Sequence, residues 1–349
     1  MRKWIAYASA ACLLGCAVPR APRAVGQEVV PVVNRDYFPA LMAMLATAKN
    51  RVDFIQLEWH YTPATVGKIQ EALRAAVKRG VRVRGIVDDN IPFNPRSVEF
   101  LTKKFGVEAK LDTPDKMTHC KIFIVDGREV LLGSTNLTHN SMQRNNETNV
   151  LIRDPAVAAY FEDYFEKLWG DSGAEPGLPP ATSGGVTAFT NRAYMDEVLP
   201  LFAGAKRSIK VLMYGVSYRP GRPQASVNRL VDALVDARAR GVRVRVLLDR
   251  SDYNKAINRV NEKTKEYLES KGVEVRWDAE KVTSHAKLLC VDDAVVIGSY
   301  NWGRDALERR NECAVIVRDP RVRDYFGLYF DSLWEGGPWP AAAPAGPAR

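Results

Sequence analysis

His119 and Lys121 stand two residues apart in THCKIFIVDGREVLLGSTN (118–136), and His285 and Lys287 do the same in SHAKLLCVDDAVVIGSYN (284–301). An Asp follows each His by seven residues, Asp126 and Asp292, and a Gly-Ser-x-Asn comes next, ending at Asn136 and Asn301. The chain has only four histidines, so two in one frame form a pattern. Side chains alternate across a strand, which puts His119 with Lys121, and His285 with Lys287, on one face and turns Asp126 and Asp292 away. Ser134 with Asn136, and Ser299 with Asn301, likewise share a face on the following strand. An ammonium beside neutral hydrogen-bond donors suits phosphate oxygens. An imidazole there can attack phosphorus or carry a proton.

One such patch is half a site. Two related halves packed about a pseudo-twofold axis bring both patches to one phosphate, and the roles of the histidines then diverge. One imidazole, neutral, attacks in line; the other, protonated, gives its proton to the leaving oxygen. The lysines and the Ser and Asn side chains hold the charge, a division of labour that asks for no metal and no cofactor. A neutral imidazole needs an acceptor on its other nitrogen to fix the tautomer. Glu147 in RNNETN and Glu312 in RRNECA, each fourteen residues after the Gly of its Gly-Ser-x-Asn, are the matched carboxylates for that task.

The rest of the chain repeats with them. RGVRVR occurs at 79–84 and 240–245, RDP at 153–155 and 318–320, and LW at 168–169 and 333–334. Landmarks kept in order mark a duplication. Within each half, apolar runs such as VDFIQLEW and IKVLMYGV read as strands, and Val66, Ile69, Leu73 and Val77 fall at helical spacing, as do Val227, Leu230 and Leu234. Asp88 and Asp249 end the GVRVR strands. Asp154 and Asp319, each followed by Pro, read as helix N-caps. The fold expected is α/β: two tandem α/β/α layered repeats, each a mixed sheet flanked by helices, over residues 35–170 and 187–335. A Pro/Gly/Ser linker, 171–186, joins them, and 336–349 is a loose tail.

Composition sets the setting. A chain of 349 residues, 46% hydrophobic and 26% charged, is neither disordered nor a multi-span membrane protein. Its formal charge of +9 favours anionic partners. The cationic MRK start and the short apolar WIAYASAACLLGCA predict a signal peptide over 1–16 whose LLGC resembles a lipobox, making Cys16 a lipidated residue. A plain secretory signal or an uncleaved anchor are the alternatives, and all three take the protein out of the cytoplasm, on the first reading to the periplasmic side of a bacterial envelope. Residues 17–34 read as a flexible spacer, and no transmembrane span is expected in the mature chain. Cys120, Cys290 and Cys313 show no metal-ligand spacing and read as buried strand residues.

HxKxxxxD followed by GSxN, twice in one chain, resembles the phospholipase D superfamily over nearly all of residues 35–335. The resemblance implies a phosphohistidine intermediate at the interface of two α/β/α halves within a monomer, without metal. It makes His119 the nucleophile and His285 the general acid, gives phosphate binding to Lys121, Lys287, Asn136 and Asn301 with help from Ser134 and Ser299, and leaves Asp126 and Asp292 structural. Phospholipid at a membrane surface is the first expected substrate, nucleic acid the second, phosphatidyl transfer of the cardiolipin synthase type the third, and a non-catalytic scaffold the last. The remaining residues of interest carry plainer expectations. His60 ends a strand, where it can line the site entrance, but with no histidine at the matching place in the second half it reads first as packing or surface; His139 reads as loop; Trp302 shapes the pocket or fills core. Arg82, Arg84, Arg243 and Arg245 are expected in solvent, where they can form an anionic landing patch.

Overall fold

The computed structural model of the protein describes residues 27–337 and 339. The signal segment, Cys16, residues 17–26 of the spacer and most of the tail lie outside the described residues.

The first half runs β1 (Glu28–Val33), α1 (Tyr37–Thr47), β2 (Arg51–Gln56), α2 (Ala64–Lys78), β3 (Arg82–Val87), α3 (Asn94–Phe105) and β4 (Glu108–Leu111). It continues with β5 (Lys121–Val125), β6 (Glu129–Gly133), α4 (His139–Gln143), β7 (Thr148–Arg153) and α5 (Pro155–Gly170). The second half opens with a hairpin, β8 (Ala181–Ser183) and β9 (Val186–Thr190), then α6 (Ala193–Gly204), β10 (Ser208–Met213), α7 (Ser226–Ala239) and β11 (Arg243–Leu248). It ends α8 (Lys255–Ser270), β12 (Glu274–Trp277), β13 (Lys287–Val291), β14 (Ala294–Gly298), α9 (Arg304–Glu308), β15 (Cys313–Val317) and α10 (Pro320–Trp334).

The first sheet has the order β4-β3-β2-β5-β6-β7-β1, and the second repeats it as β12-β11-β10-β13-β14-β15-β9 with β8 added at the edge. Each sheet is mixed: β2, β3 and β4, like β10, β11 and β12, are parallel, and the others antiparallel. Parallel strands are covered on both faces, which is why VDFIQ and VRVLL are buried almost throughout. Helices α5 and α10 lie between the sheets, and one apolar core joins Ile122, Ile124, Phe161 and Phe165 to Leu288, Ile297, Phe326 and Phe330. Separate cores fill the outer layers under α1–α3 and under α6–α8. Asp154 and Asp319 cap α5 and α10 as read from the sequence, accepting backbone N–H bonds ahead of Pro155 and Pro320.

Three expectations are corrected. Residues 28–33 are no spacer: EVVPVV is an edge strand antiparallel to β7, with Val29, Val32 and Val33 buried. Pro31 is tolerated because β1 is the outermost strand, where one missing donor costs little. The linker is shorter than 171–186, because 181–183 pair with β9. Arg84 and Arg245 are buried rather than in solvent. Helices α5 and α10 cover that part of their strands, so each guanidinium lands in the central layer, Arg84 on Asp53 at 2.8 Å and Glu166 at 2.6 Å, Arg245 on Asp331 at 2.7 Å. Arg82 and Arg243 do stay exposed, but each pairs with a glutamate, Glu108 and Glu274. The four arginines therefore form no free cationic patch for anions to land on.

Asp126 and Asp292 occupy tight turns with φ of 53° and 49°. Asp126 accepts the backbone N–H groups of Lys49, Asn50 and Arg51 at 2.7–2.9 Å, and Asp292 those of Lys206, Arg207 and Ser208 at the same range. Partial burial pushes both carboxyls up, but these bonds outweigh it and hold them below their ordinary value. Each thus ties the start of a central strand to the turn after the histidine-bearing strand. Asp126→Ala is expected to cost about 1–3 kcal/mol in denaturant unfolding while leaving the site's geometry in place.

Candidate active site

The two histidines come together because the motif strands of both halves end at the central layer. Main-chain bonds cross the pseudo-dyad there: His119 N–H to Asn311 O at 2.8 Å, Asn311 N–H to Met117 O at 3.0 Å, and Asn146 N–H to Thr283 O at 2.9 Å. They seat Glu312 against the first motif and Glu147 against the second. The carboxylates are exchanged between the halves. His119 Nδ1 lies 2.9 Å from Glu312 Oε2, and His285 Nδ1 lies 3.0 Å from Glu147 Oε2. A carboxylate on Nδ1 fixes the proton there, so a neutral ring presents a lone pair at Nε2 and a protonated ring presents an N–H at the same atom. Both rings line one cleft of about 460 Å³.

The serines do not face it. Ser134 Oγ donates to Glu147 Oε2 at 2.5 Å and accepts from Thr148 N–H at 2.9 Å. Ser299 Oγ donates to Glu312 Oε2 and accepts from Cys313 N–H at 3.1 Å. With donor and one lone pair engaged in the fold, these hydroxyls steady the carboxylates that orient the rings, a correction to the phosphate-binding role expected for them. Their glycines are dictated by packing. A Cβ on Gly133 would sit 2.3 Å from Thr148 O, and one on Gly298 would sit 2.5 Å from Cys313 O.

Asn136 and Asn301 line the cleft as expected, and each leaves its buried Oδ1 without a partner. Turning either NH2 toward a bound phosphate breaks no hydrogen bond. Lys121 Nζ donates to His119 O and Lys287 Nζ to His285 O, both at 2.5 Å, which leaves two donors on each ammonium. Burial lowers the pKa of both lysines, Lys287 to about 7, where the Glu147 charge opposes the fall and the Lys121 charge adds to it. Glu312 and Glu58 beside Lys121, and Glu147 and Glu312 beside Lys287, supply the opposing negative charge.

The pseudo-symmetry is broken electrostatically. Burial drives His119 well below its ordinary value, helped by Lys121, Arg310 and Lys287, and lifts Glu312 to about 7. Burial also lowers His285, but there the Glu147 charge pulls the other way, and Glu147 stays below its usual value because the charges of His285 and Lys287 offset its own burial. Both rings are thus held below the ordinary value, His119 the further, while His285 faces a standing negative charge that favours its protonated form.

The walls differ too. His60 and His139 both line the cleft, His60 in the second of its expected places and His139 contrary to the loop position expected, so all four histidines of the chain meet in it. The bridge between Trp59 and Leu137 brings their two segments side by side. Tyr214, Tyr253 and Asn254 face them from the second half, with Tyr214 edge-on to His285 at 4.9 Å. Trp302 is core, its indole N–H on Tyr194. Glu58, unremarked in the sequence, also lines the cleft, its pKa raised by burial against the pull of Lys121. Its position just after β2, which pairs with the strand of Lys121, was the signal available.

Asp88, Asp89 and Asp112 bring carboxylate oxygens within 4.8 Å of one another, a metal-capable grouping that the sequence reading had not foreseen. Both oxygens of Asp88 already accept backbone N–H groups.

A duplicated α/β fold that lends each half's carboxylate to the other half's histidine is one structural unit, and comparison with known proteins agrees. Residues 41–169 and 198–334 match the family model described as "Cardiolipin synthase, PLD-like domain", and the chain belongs to the phospholipase D superfamily. It is 31% identical to a mitochondrial cardiolipin hydrolase of Mus musculus over 46% of this chain and 67% of that one. It is also 31% identical to a phospholipase D of Rickettsia bellii over 35% of this chain and 54% of that one. The match to a Chlamydomonas reinhardtii mitochondrial cardiolipin hydrolase, 35% identical, covers 26% of this chain and 41% of the relative. A phosphatidylserine synthase of Haemophilus influenzae shares the fold, with a TM-score of 0.67 at 13% identity, covering 90% of this chain and 87% of that one.

Proposed function

We propose that the chain hydrolyses the headgroup phosphodiester of phospholipids through a phosphohistidine. The observation that carries this reading is the pair of exchanged His–Glu contacts, which set both imidazoles on one cleft together with Asn136 and Asn301. His119 Nε2 attacks phosphorus, the P–O bond to the headgroup breaks, and His285 passes its proton to the departing oxygen. Water then attacks phosphorus, His285 takes a proton from it, and the P–N electron pair returns to His119. Lys121, Lys287, Asn136 and Asn301 hold the equatorial oxygens, whose charge grows in each transition state. The names of the relatives and the excess positive charge favour lipid as substrate. Attachment through a lipidated Cys16 is part of the proposal; among the described residues no helix is long and apolar enough to cross a membrane.

The test is a parallel assay of the protein on anionic phospholipid vesicles and on single-stranded DNA, each in EDTA. Headgroup release that persists in EDTA is expected, because imidazoles and ammonium groups supply nucleophile, proton and counter-charge. Cleavage of DNA with vesicles left intact would give the site to nucleic acid instead, and activity lost in EDTA would refute the mechanism.

The pH profile of kcat/KM follows from the free protein's groups. His119, lowered below the ordinary 6.5, stays neutral in moderately acid solution, so the acid limb is set by Glu312, whose carboxylate is protonated as pH falls through about 7. On the alkaline side the general acid His285, itself lowered by burial, loses its proton, and Lys287 loses its charge as pH rises through about 7, so activity falls above that value. A plateau reaching pH 9 would contradict this assignment.

A further inference from the structure

Asp88 and Asp249 follow the equivalent strands β3 and β11, and both are fully buried. Neither touches the cleft. Asp88 Oδ2 accepts the N–H of Thr118 at 2.7 Å, and Asp249 Oδ1 accepts the N–H of Ser284 at 2.8 Å. Thr118 and Ser284 are the residues immediately before His119 and His285. A second carboxylate, at the end of the next parallel strand, braces the first in each half. Asp112 Oδ1 accepts the N–H of Asp89 at 2.8 Å, and Asp278 Oδ1 accepts that of Arg250 at 2.9 Å, so the residue after each inner aspartate is fixed in turn. Asp278 also reaches Ser284 N–H at 3.1 Å.

The same relay therefore runs twice, from outer Asp to inner Asp to the residue before the histidine. In sequence it reads as an Asp six residues before a Thr-His or Ser-His, at Asp112 and Asp278. We infer that Asp88 and Asp249, braced by Asp112 and Asp278, are positioning residues that set His119 and His285 respectively. The hydroxyls of Thr118 and Ser284 complete the fixation from across the pseudo-dyad, accepting from Asn311 at 3.5 Å and Asn146 at 3.1 Å.

Burial lifts Asp112 to about 7, with the Asp88 charge adding to it, and does the same for Asp278 beside Asp249. Each pair then carries one negative charge rather than two. A cation held by Asp88, Asp89 and Asp112 is the competing reading. What argues against it is the second half, where Arg250 stands in the place of Asp89 while every backbone bond of the relay is kept. The function lies in what is duplicated.

The inference rests on the phosphodiesterase reading only for its rate readout. The rate is measured with bis(p-nitrophenyl) phosphate, a soluble diester common to the lipid and nucleic-acid readings. The ring positions are measured by the Cε1–Hε1 NMR cross-peaks of the four histidines, which need no turnover. Asp88→Asn is expected to lower kcat by about 10–100-fold with KM changed by less than about threefold, as a displaced reacting group does. It should move the His119 cross-peak and leave that of His60 in place. Asp249→Asn should do the same to His285, and Asp89→Asn to neither ring. Should Asp88→Asn fail to fold, Asp112→Ala replaces it, with a smaller loss of kcat and the same His119 displacement. Unmoved His119 and His285 cross-peaks in the inner-aspartate variants would overturn the inference. So would an Asp89→Asn defect equal to that of Asp88→Asn and sensitive to added calcium, which would mark a cation site. A wild-type protein inert toward the diester would defeat the phosphodiesterase reading, while the cross-peaks would still decide this one.

Discussion

Replacing His119 by Ala is expected to remove at least about 10⁴-fold of kcat on any phosphodiester the protein accepts, because it removes the imidazole assigned to attack phosphorus and leaves His285 without a partner. His60 and His139 line the same cleft. Their presence makes the experiment discriminating: if either supplied the nucleophile, His119→Ala would keep much of its rate. His285→Ala should fail differently. With a natural headgroup the leaving alkoxide needs a proton, so the first step stalls. With p-nitrophenolate, a stable anion, the first step survives and the second stalls for want of a base to activate water. A burst of one nitrophenol per chain followed by near-arrest is the expected time course for His285→Ala, and neither burst nor turnover for His119→Ala.

The second large effect crosses the halves. Glu312→Gln is expected to cost about 10²–10⁴-fold in kcat, on the scale of losing the carboxylate that fixes a catalytic imidazole's tautomer. Its burst with p-nitrophenyl diester should disappear, as it does for His119→Ala, because Glu312 orients His119 from 193 residues away. Glu147→Gln should keep the burst, as its partner is His285. Bursts assigned the other way round would mean that each carboxylate serves the histidine of its own half. Thermal unfolding separates rate loss from misfolding, since both glutamates are fully buried and also accept from Ser134 and Ser299.

Much of this site was legible in the sequence because strand parity is local. His119 stands just before β5 and Asp126 in the turn just after it, so their spacing from Lys121 could be read from a short stretch, and the second half repeated the lesson. The fold class followed from strand–helix alternation read twice. What alternation cannot say is what covers a face. Arg84 and Arg245 were assigned to solvent by parity, but α5 and α10 cover that face, so the guanidinium groups are paired there instead. Ser134 and Ser299 had the right parity for the cleft, but their hydroxyls are claimed by carboxylates arriving from the following strand. The exchange of Glu147 and Glu312 was invisible for a different reason, since nothing in either half encodes the register across the pseudo-dyad. β1 was hidden by Pro31, which disqualifies a central strand but not an edge one. The cleft walls were missed because His60 and His139 meet only through the Trp59–Leu137 bridge.

The central claim is that two imidazoles from different halves act on one phosphorus, His119 forming the bond and His285 moving the proton. The measurement that meets it most directly is peptide mass analysis of His285→Ala, quenched at alkaline pH after the nitrophenol burst. One phosphoryl adduct per chain on the peptide containing His119 is predicted, absent when His119→Ala is combined with it. An adduct on His60 or His139, or a full burst with no adduct on any histidine, would contradict the account.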